Sequence, residues 1–416
     1  MTRLPHTLDP TGRRLYTDAD QLRAAGPTVL VQLPGNVTAW SVTRGDVAKA
    51  LLTDPRVSKN PRENWPAYRE GRIPPSWPLI NWVNVTSMLT SDGADHQRLR
   101  RLVGTVFTPR HVDALRPAVE RIVDDLLDQL ATRPPGTVTD LRAHYAYPLP
   151  TRLIADLFGV PHEQRPQMLQ LVDAVLDTSA APEKAEATAR DLFAAMRALV
   201  DAKRAAPGQD MTSMLLAAHE EDGDRLSEDE LVSTLILMIG AGSETAVSLI
   251  DHAVCALLAH RDQLTQVLAN PGRWDDVVEE TLRVHPPIMH LPLRYATADI
   301  DCGDGIIIRR GDPILIGFGA HGRDPKVHQD PARFDIDRAD KQHLAFGHGI
   351  HYCLGAPLAK LEAAIALPAL FERFPDITLE AAPDRLQPQA SFIANDYRTL
   401  PVQLQPASPQ SLAARP

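Results

Sequence analysis

The sequence predicts a mainly α-helical protein with small β-sheets, on three observations. From His96 onward apolar residues recur at helical spacing, through Ile122, Leu126, Leu127, Leu153, Leu157, Val172, Val175, Leu192, Met196 and Val200. A capped, apolar helix of roughly thirty residues, about 50 Å long at 1.5 Å per residue, begins after Ser227. Two-residue alternation is confined to short stretches within residues 26–42 and 306–316.

Taken in order, Val29, Val31 and Leu33, then Trp40 and Val42, alternate on either side of Pro34-Gly35-Asn36, which predicts two short strands joined by a turn. Ser227-Glu228-Asp229-Glu230 is a capping box, in which Ser227 and Glu230 satisfy each other's orphan amides. The helix it opens is expected to run to about His260. Its stretch Leu231 to Gly242 carries no charge, with Ser233 and Thr234 the polar exceptions, so burial is expected; the run is too short for a membrane span. Gly240-Ala241-Gly242-Ser243-Glu244-Thr245 then interrupts it where propensity favours Ala or Leu. The glycines open room for a flat ligand, and Thr245 can break the hydrogen-bond ladder locally. A packing kink with a solvent-facing Glu244 remains open on these residues alone.

Further on, Glu280 and Arg283 stand at i, i+3 on one helix face, within bidentate reach. Phe346-Gly347-His348-Gly349-Ile350-His351-Tyr352-Cys353-Leu354-Gly355 places a cysteine in a glycine-punctuated loop that enters an amphipathic helix, Leu354 to Phe371. A helix start beside the sulfur stabilises a thiolate, the form that binds metal. Zinc held by His343, His348, His351 and Cys353 is the competing metal site, but the spacing matches paired-ligand zinc motifs poorly.

Composition bounds the remaining classes. The 416 residues are 44% hydrophobic and 23% charged, ordinary for a globular protein with ample core. A net charge of -10 disfavours nucleic acid or an anionic membrane as a general partner. Three cysteines (Cys255, Cys302, Cys353) cannot all pair, which suits a reducing cytoplasm. Residues 1–30 hold no continuous apolar run and are broken by Pro5, Pro10, Gly12, Gly26 and Pro27, so neither a signal peptide nor a membrane anchor is expected. One catalytic body over 1–405, a disordered tail at 406–416 and a monomer are the expected organisation.

The decapeptide ending at Gly355 resembles the haem-binding signature of cytochromes P450, Phe-Gly-x-Gly-x-His-x-Cys-x-Gly, without departure. Ala241-Gly242-Ser243-Glu244-Thr245 is similar to the oxygen-activation motif of that family, and Glu280-Thr281-Leu282-Arg283 to its Glu-x-x-Arg pair. The resemblance covers nearly the whole chain in motif order. It departs at Asp92-Gly93-Ala94, where many bacterial members have Asp-Pro-Pro, and at His321-Gly322, where Asn is common. Leu8-Asp9-Pro10-Thr11-Gly12 and Leu291-Pro292-Leu293-Arg294-Tyr295-Ala296 resemble an actinomycete subgroup that hydroxylates steroids and macrolides.

The resemblance implies the P450 fold, a helix-rich prism enclosing haem b (iron protoporphyrin IX). It implies Cys353 as axial thiolate, Phe346 and Gly347 beside it, Ala241 and Gly242 over the opposite face, and His96, Arg100, Arg294 and His351 around the propionates. Thr245 and Glu244 would deliver protons to dioxygen, and Arg333 would join Glu280 and Arg283 as a structural triad. Trp82, Val83, Val85, Leu237, Ala241, Ile288, Met289, Leu291, Phe392 and Ile393 are the implied substrate contacts. The implied activity is monooxygenation of a bulky lipophilic molecule, a steroid or macrolide, with oxidative coupling or epoxidation as the alternative; a haem-thiolate sensor has no need of Glu244 and Thr245. Electrons would come from a ferredoxin and its reductase, docking on the cysteine side near Arg98 and Arg101.

Overall fold

The long helix organises the molecule. In the computed structural model, which describes residues 4–104, 107–134, 136–217, 226–303 and 305–404, it spans Glu228–Ala259. The tail expected at 406–416 lies outside the described residues. Ser227 caps the helix as its sequence dictates: its hydroxyl accepts the Glu230 N–H at 3.2 Å, and the Glu230 carboxylate accepts the Ser227 N–H at 2.8 Å. As a whole it is long and apolar enough to cross a bilayer, more so than its central run suggests, yet 72% of its most apolar window is buried inside the protein. It is a core helix. Around it pack Pro148–Leu157, Pro182–Ala205, Trp274–Val284 and Ala356–Arg373, joined in one large apolar core.

The expected interruption of this helix does not occur, since helical geometry continues through residues 240–245. The Ser243 and Thr245 hydroxyls donate back to the Ile239 and Ala241 carbonyls at 2.8 and 2.7 Å, an arrangement a helix tolerates. Gly242 answers to a neighbouring helix, because a Cβ there would come within 2.6 Å of Ile154 Cδ1.

A six-stranded sheet lies to one side, in the order His6–Thr7, Thr28–Leu33, Val37–Val42, Pro313–Gly317, His290–Ala296, Val57–Ser58. The hairpin predicted around Pro34-Gly35-Asn36 forms with Leu33 opposite Val37, and both Gly35 and Asn36 take positive φ (71° and 60°). Pairing of His290–Ala296 with Pro313–Gly317 shifts register between Leu291 and Arg294. That irregularity sits at the edge of the functional cavity.

Candidate functional site

Between the cysteine loop and the long helix lies a cavity of about 320 Å³. The loop approaches it through a single helical turn, Gly349–His351, and Gly347 and Gly349 take φ of 77° and 73°. A side chain at Gly349 would meet the Leu52 carbonyl oxygen at 2.9 Å, so glycine lets the loop lie against its neighbour. The Cys353 N–H donates to the Phe346 carbonyl at 2.8 Å, closing the loop, and the helix Ala356–Arg373 follows. The accessible surface of Cys353 faces the cavity rather than bulk solvent. Burial pushes its thiol up, while hydrogen bonding from the Gly355 and Ala356 amides and the charge of Arg100 pull it down.

On one flank His96, Arg100, Arg294 and His351 converge on the same cavity. Among the described residues neither ring nitrogen of buried His96 has a hydrogen-bond partner, nor does Nε2 of His351, whose ring lies 4.3 Å from that of His96. Arg100 Nη2 donates to the Tyr352 carbonyl at 2.8 Å. Burial lowers both imidazoles, with nearby cations adding to it, and lowers buried Arg294 to about 10. Lys59, which sequence reading missed, is buried behind them. Its Nζ donates to the carbonyls of Pro292 and Leu293 at 3.3 and 3.1 Å, the stretch where the strand shifts register before Arg294. Asp92 binds the Lys59 amide at 3.0 Å and its carbonyl accepts the His96 N–H at 3.1 Å. Asp92 thus ties the two halves of the cluster, one through its carboxylate and the other through its backbone carbonyl, and the Asp92-Gly93-Ala94 departure leaves it in place.

Opposite the cysteine, Ala241, Gly242, Glu244 and Thr245 line the cavity. Glu244 is buried rather than solvent-facing, and its Oε2 accepts from Arg142 Nη2 at 2.7 Å.

A family model for cytochrome P450 matches residues 274–396. The 2-hydroxy-5-methyl-1-naphthoate 7-hydroxylase of Streptomyces carzinostaticus is 48% identical over 401 residues, 96% of this chain and 97% of that protein. The chain belongs to the cytochrome P450 family. The 6-deoxyerythronolide B hydroxylase of Saccharopolyspora erythraea is 38% identical over 396 residues, covering 94% of this P450 and 96% of the relative. Among solved structures, CYP154A1 from Streptomyces coelicolor A3(2) superposes with a TM-score of 0.91 at 48% identity, covering 96% of this chain and 100% of that one. The fold is the P450 fold, and the chain is an actinomycete-type P450 monooxygenase whose cofactor is haem b.

The residues present fit that cofactor. Among the described residues, buried imidazole nitrogens without protein partners, two arginines and Lys59 stand together with the carboxylate of Asp92, a set that calls for an acidic group. Haem brings two propionates, and the sulfur of Cys353 faces the same cavity. The zinc alternative does not assemble: His343 Nε2 pairs with Glu279 at 3.1 Å, and among the described residues no three His, Cys, Asp or Glu side chains are grouped to hold a metal ion.

Three expectations need correction. Arg333 is not the third member of the charged triad: its side chain is 62% exposed, and only its carbonyl reaches Arg283, at 2.9 Å. Arg338 takes that place, with Nε 3.3 Å from Glu280 Oε1, because the loop after Phe334 folds back over the pair. Arg98 is ion-paired with Glu230 at the start of the long helix and is not a free docking cation. Of the implied substrate contacts, Trp82, Val85, Leu237, Ala241, Ile288 and Leu291 line the cavity, whereas Val83, Met289, Phe392 and Ile393 pack into the second apolar core with Trp65, Trp77 and Tyr295. The reason is alternation. Met289 N–H binds the Ile393 carbonyl at 2.8 Å, and Ile288 bridges Ala394, which leaves Ile288 and Ala394 facing the cavity.

Sequence reading also missed Arg142, Asp251, Asp396 and Glu362. Asp251 lies seven residues after Glu244, two helical turns along the same face, a signal that was available. Arg142 and Asp396 are distant in sequence and carried none. Glu362 is buried at the cavity, its Oε1 without a hydrogen-bond partner among the described residues, and burial pushes its carboxyl up to about 8.

Proposed function

We propose that this P450 inserts one oxygen atom of dioxygen into a C–H bond of a bulky, neutral, lipophilic substrate of the steroid or macrolide kind, using electrons from a separate ferredoxin and its reductase in the cytoplasm. The observation that carries the substrate class is the wall opposite Cys353. Val85, Met88, Leu89, Val172, Val175, Leu176, Leu192, Ile236, Leu237, Ile288 and Leu291 make it, and among the described residues the lysine and arginine side chains lining the cavity are Arg100 and Arg294, both in the propionate cluster. Such a wall binds by apolar area removed from water and offers no counter-ion to an anionic substrate. Spectral titration tests this. Neutral steroids and macrolides are expected to give the low-spin to high-spin shift at micromolar concentration, and small aromatic acids to need far more; the reverse order would overturn the assignment.

Haem, which Cys353 would hold through its sulfur, would supply the activation of dioxygen, and a thiolate donor favours that chemistry. The chain supplies the protons. Thr245 Oγ1, which rests on the Ala241 carbonyl at 2.7 Å, lies at the cavity face and can hold a proton there, and the neighbouring Glu244 carboxyl passes protons to it. Thr245→Ala is expected to lower product formed per NADPH roughly tenfold, diverting electrons to peroxide and water. Unchanged coupling would remove Thr245 from this role.

Exposed Ile350 (58%) and Tyr352 (45%) stand on the cysteine loop, and exposed Arg101 belongs to the helix Gly93–Gly104 that also bears Arg100. An acidic ferredoxin suits such a face. Its reduction of the haem is expected to slow as ionic strength rises, and salt-independent kinetics would count against electrostatic docking here.

A further inference from the structure

Behind the wall opposite Cys353, three carboxyl groups converge on one guanidinium. Arg142 Nη2 meets Glu244 Oε2 at 2.7 Å, and Nη1 meets Asp251 Oδ2 at 2.9 Å and also Asp396. All four side chains are less than a tenth exposed. One positive charge cannot balance three negative ones out of water, so the cluster retains protons at neutral pH. Asp251 meets Arg142 through Oδ2 alone, and its Oδ1 has no hydrogen-bond partner among the described residues. A fourth carboxyl, Asp173, accepts from the Tyr147 hydroxyl at 2.6 Å and adjoins Glu244.

We propose that Arg142, Asp251 and Asp396 form a proton store that recharges Glu244 during turnover. This rests on the reading of Glu244 as the proton donor to Thr245. Glu244 and Asp396 both line the cavity and both contact the Arg142 guanidinium, so the two carboxyls share one buried neighbourhood. When Glu244 gives its proton to the cavity it becomes a carboxylate; neutral Asp396 then protonates it and becomes the carboxylate that Arg142 balances. Solvent later returns one proton to Asp396, and no electron moves.

The surroundings favour the acid forms. Burial pushes Asp251 up to about 7 against the pull of Arg142, and Asp396 goes up for the same reason. Burial, with Glu244 adding to it, pushes Asp173 up to about 8. Asp140, Tyr147, His252 and Tyr397 face the cluster from the other elements. Burial holds His252 neutral, at about 4, and pushes both tyrosines up, so none of these offers a compensating positive charge.

The test uses the holoenzyme and the variants Asp251→Asn, Asp396→Asn and Glu244→Gln. Infrared spectra of the wild type are expected to show the carbonyl stretch of a protonated carboxyl at neutral pH, fading as pH rises, and each Asn variant to lose part of it. Each Asn variant should keep the ferrous–CO spectrum while product per NADPH falls severalfold and the solvent deuterium isotope effect grows. Asn leaves an acceptor for Arg142, and if one variant fails to bind haem the other still decides. No protonated carboxyl in the wild type would overturn the store. Wild-type coupling in both Asn variants alongside uncoupled Glu244→Gln would overturn it too, leaving the Glu244 relay intact. Unchanged coupling in Glu244→Gln would instead remove the relay and with it the store's recipient, whatever the infrared band shows.

Discussion

Replacing Cys353 by serine is expected to abolish the thiolate-type ferrous–CO absorption band and monooxygenation together. The loop itself should survive, since its shape is set by backbone: Cys353 N–H to the Phe346 carbonyl at 2.8 Å, Gly347 N–H to the Leu344 carbonyl at 2.8 Å, and positive φ at Gly347 and Gly349. What changes is the donor. A serine hydroxyl does not ionise near neutrality, so the Gly355 and Ala356 amides that help a thiolate would face a neutral oxygen. The variant should still bind haem through the cluster of His96, Arg100, Arg294 and His351, giving a coloured but inactive protein. Absorbance of the reduced, CO-bound form checks this, and a retained thiolate band would remove Cys353 as ligand.

Glu280→Ala is expected to cost roughly 3–5 kcal/mol of stability, because it strands guanidinium groups in a dry interior. Glu280 and Arg283 have fully buried side chains. Glu280 Oε1 and Oε2 each accept from Arg283 at 2.7 Å, and Oε1 also accepts the Asp335 N–H at 2.8 Å and Arg338 Nε at 3.3 Å. Arg283 in turn donates to the carbonyls of Gly322, Pro331 and Arg333, pinning the segments that lead to the cysteine loop. Thermal or denaturant unfolding of the holoenzyme measures the loss, and low haem content should accompany it. The same measurement separates two arginines: Arg338→Ala should destabilise clearly, whereas Arg333→Ala, at an exposed side chain, should stay within about 0.5 kcal/mol of wild type. Equal effects would contradict the assignment of Arg338.

How far the site was legible depends on where its parts lie in sequence. The cysteine loop, the capped helix and the Glu280–Arg283 pair are local patterns, each readable within about ten residues, and the structure places them around one cavity or its support. The errors share a cause. Arg333 and Arg338 are five residues apart in an irregular loop, where no periodicity says which side chain turns inward. Val83, Met289, Phe392 and Ile393 are apolar residues near the cavity, and composition does not distinguish a lining residue from one packed behind it. Gly242 was read as room for a ligand and does line the cavity, but the atom nearest its missing side chain belongs to Ile154, 88 positions away, a packing demand no local pattern records. Thr245 bonds within its own helix turn, so a hydroxyl that can open a ladder here leaves it closed.

The order of motifs along the chain was by itself enough to determine the family, the thiolate cysteine expected to hold the haem and the helix facing it, because glycine spacing, capping and helical periodicity are short-range properties of backbone. Tertiary structure alone decided which charges distant in sequence meet. Arg142 reaches Glu244 across 102 positions and Asp396 across 254, and Lys59 reaches Leu293 across 234. Such pairings cost or contribute free energy only once both partners have left water together, and nothing in either local sequence records the other.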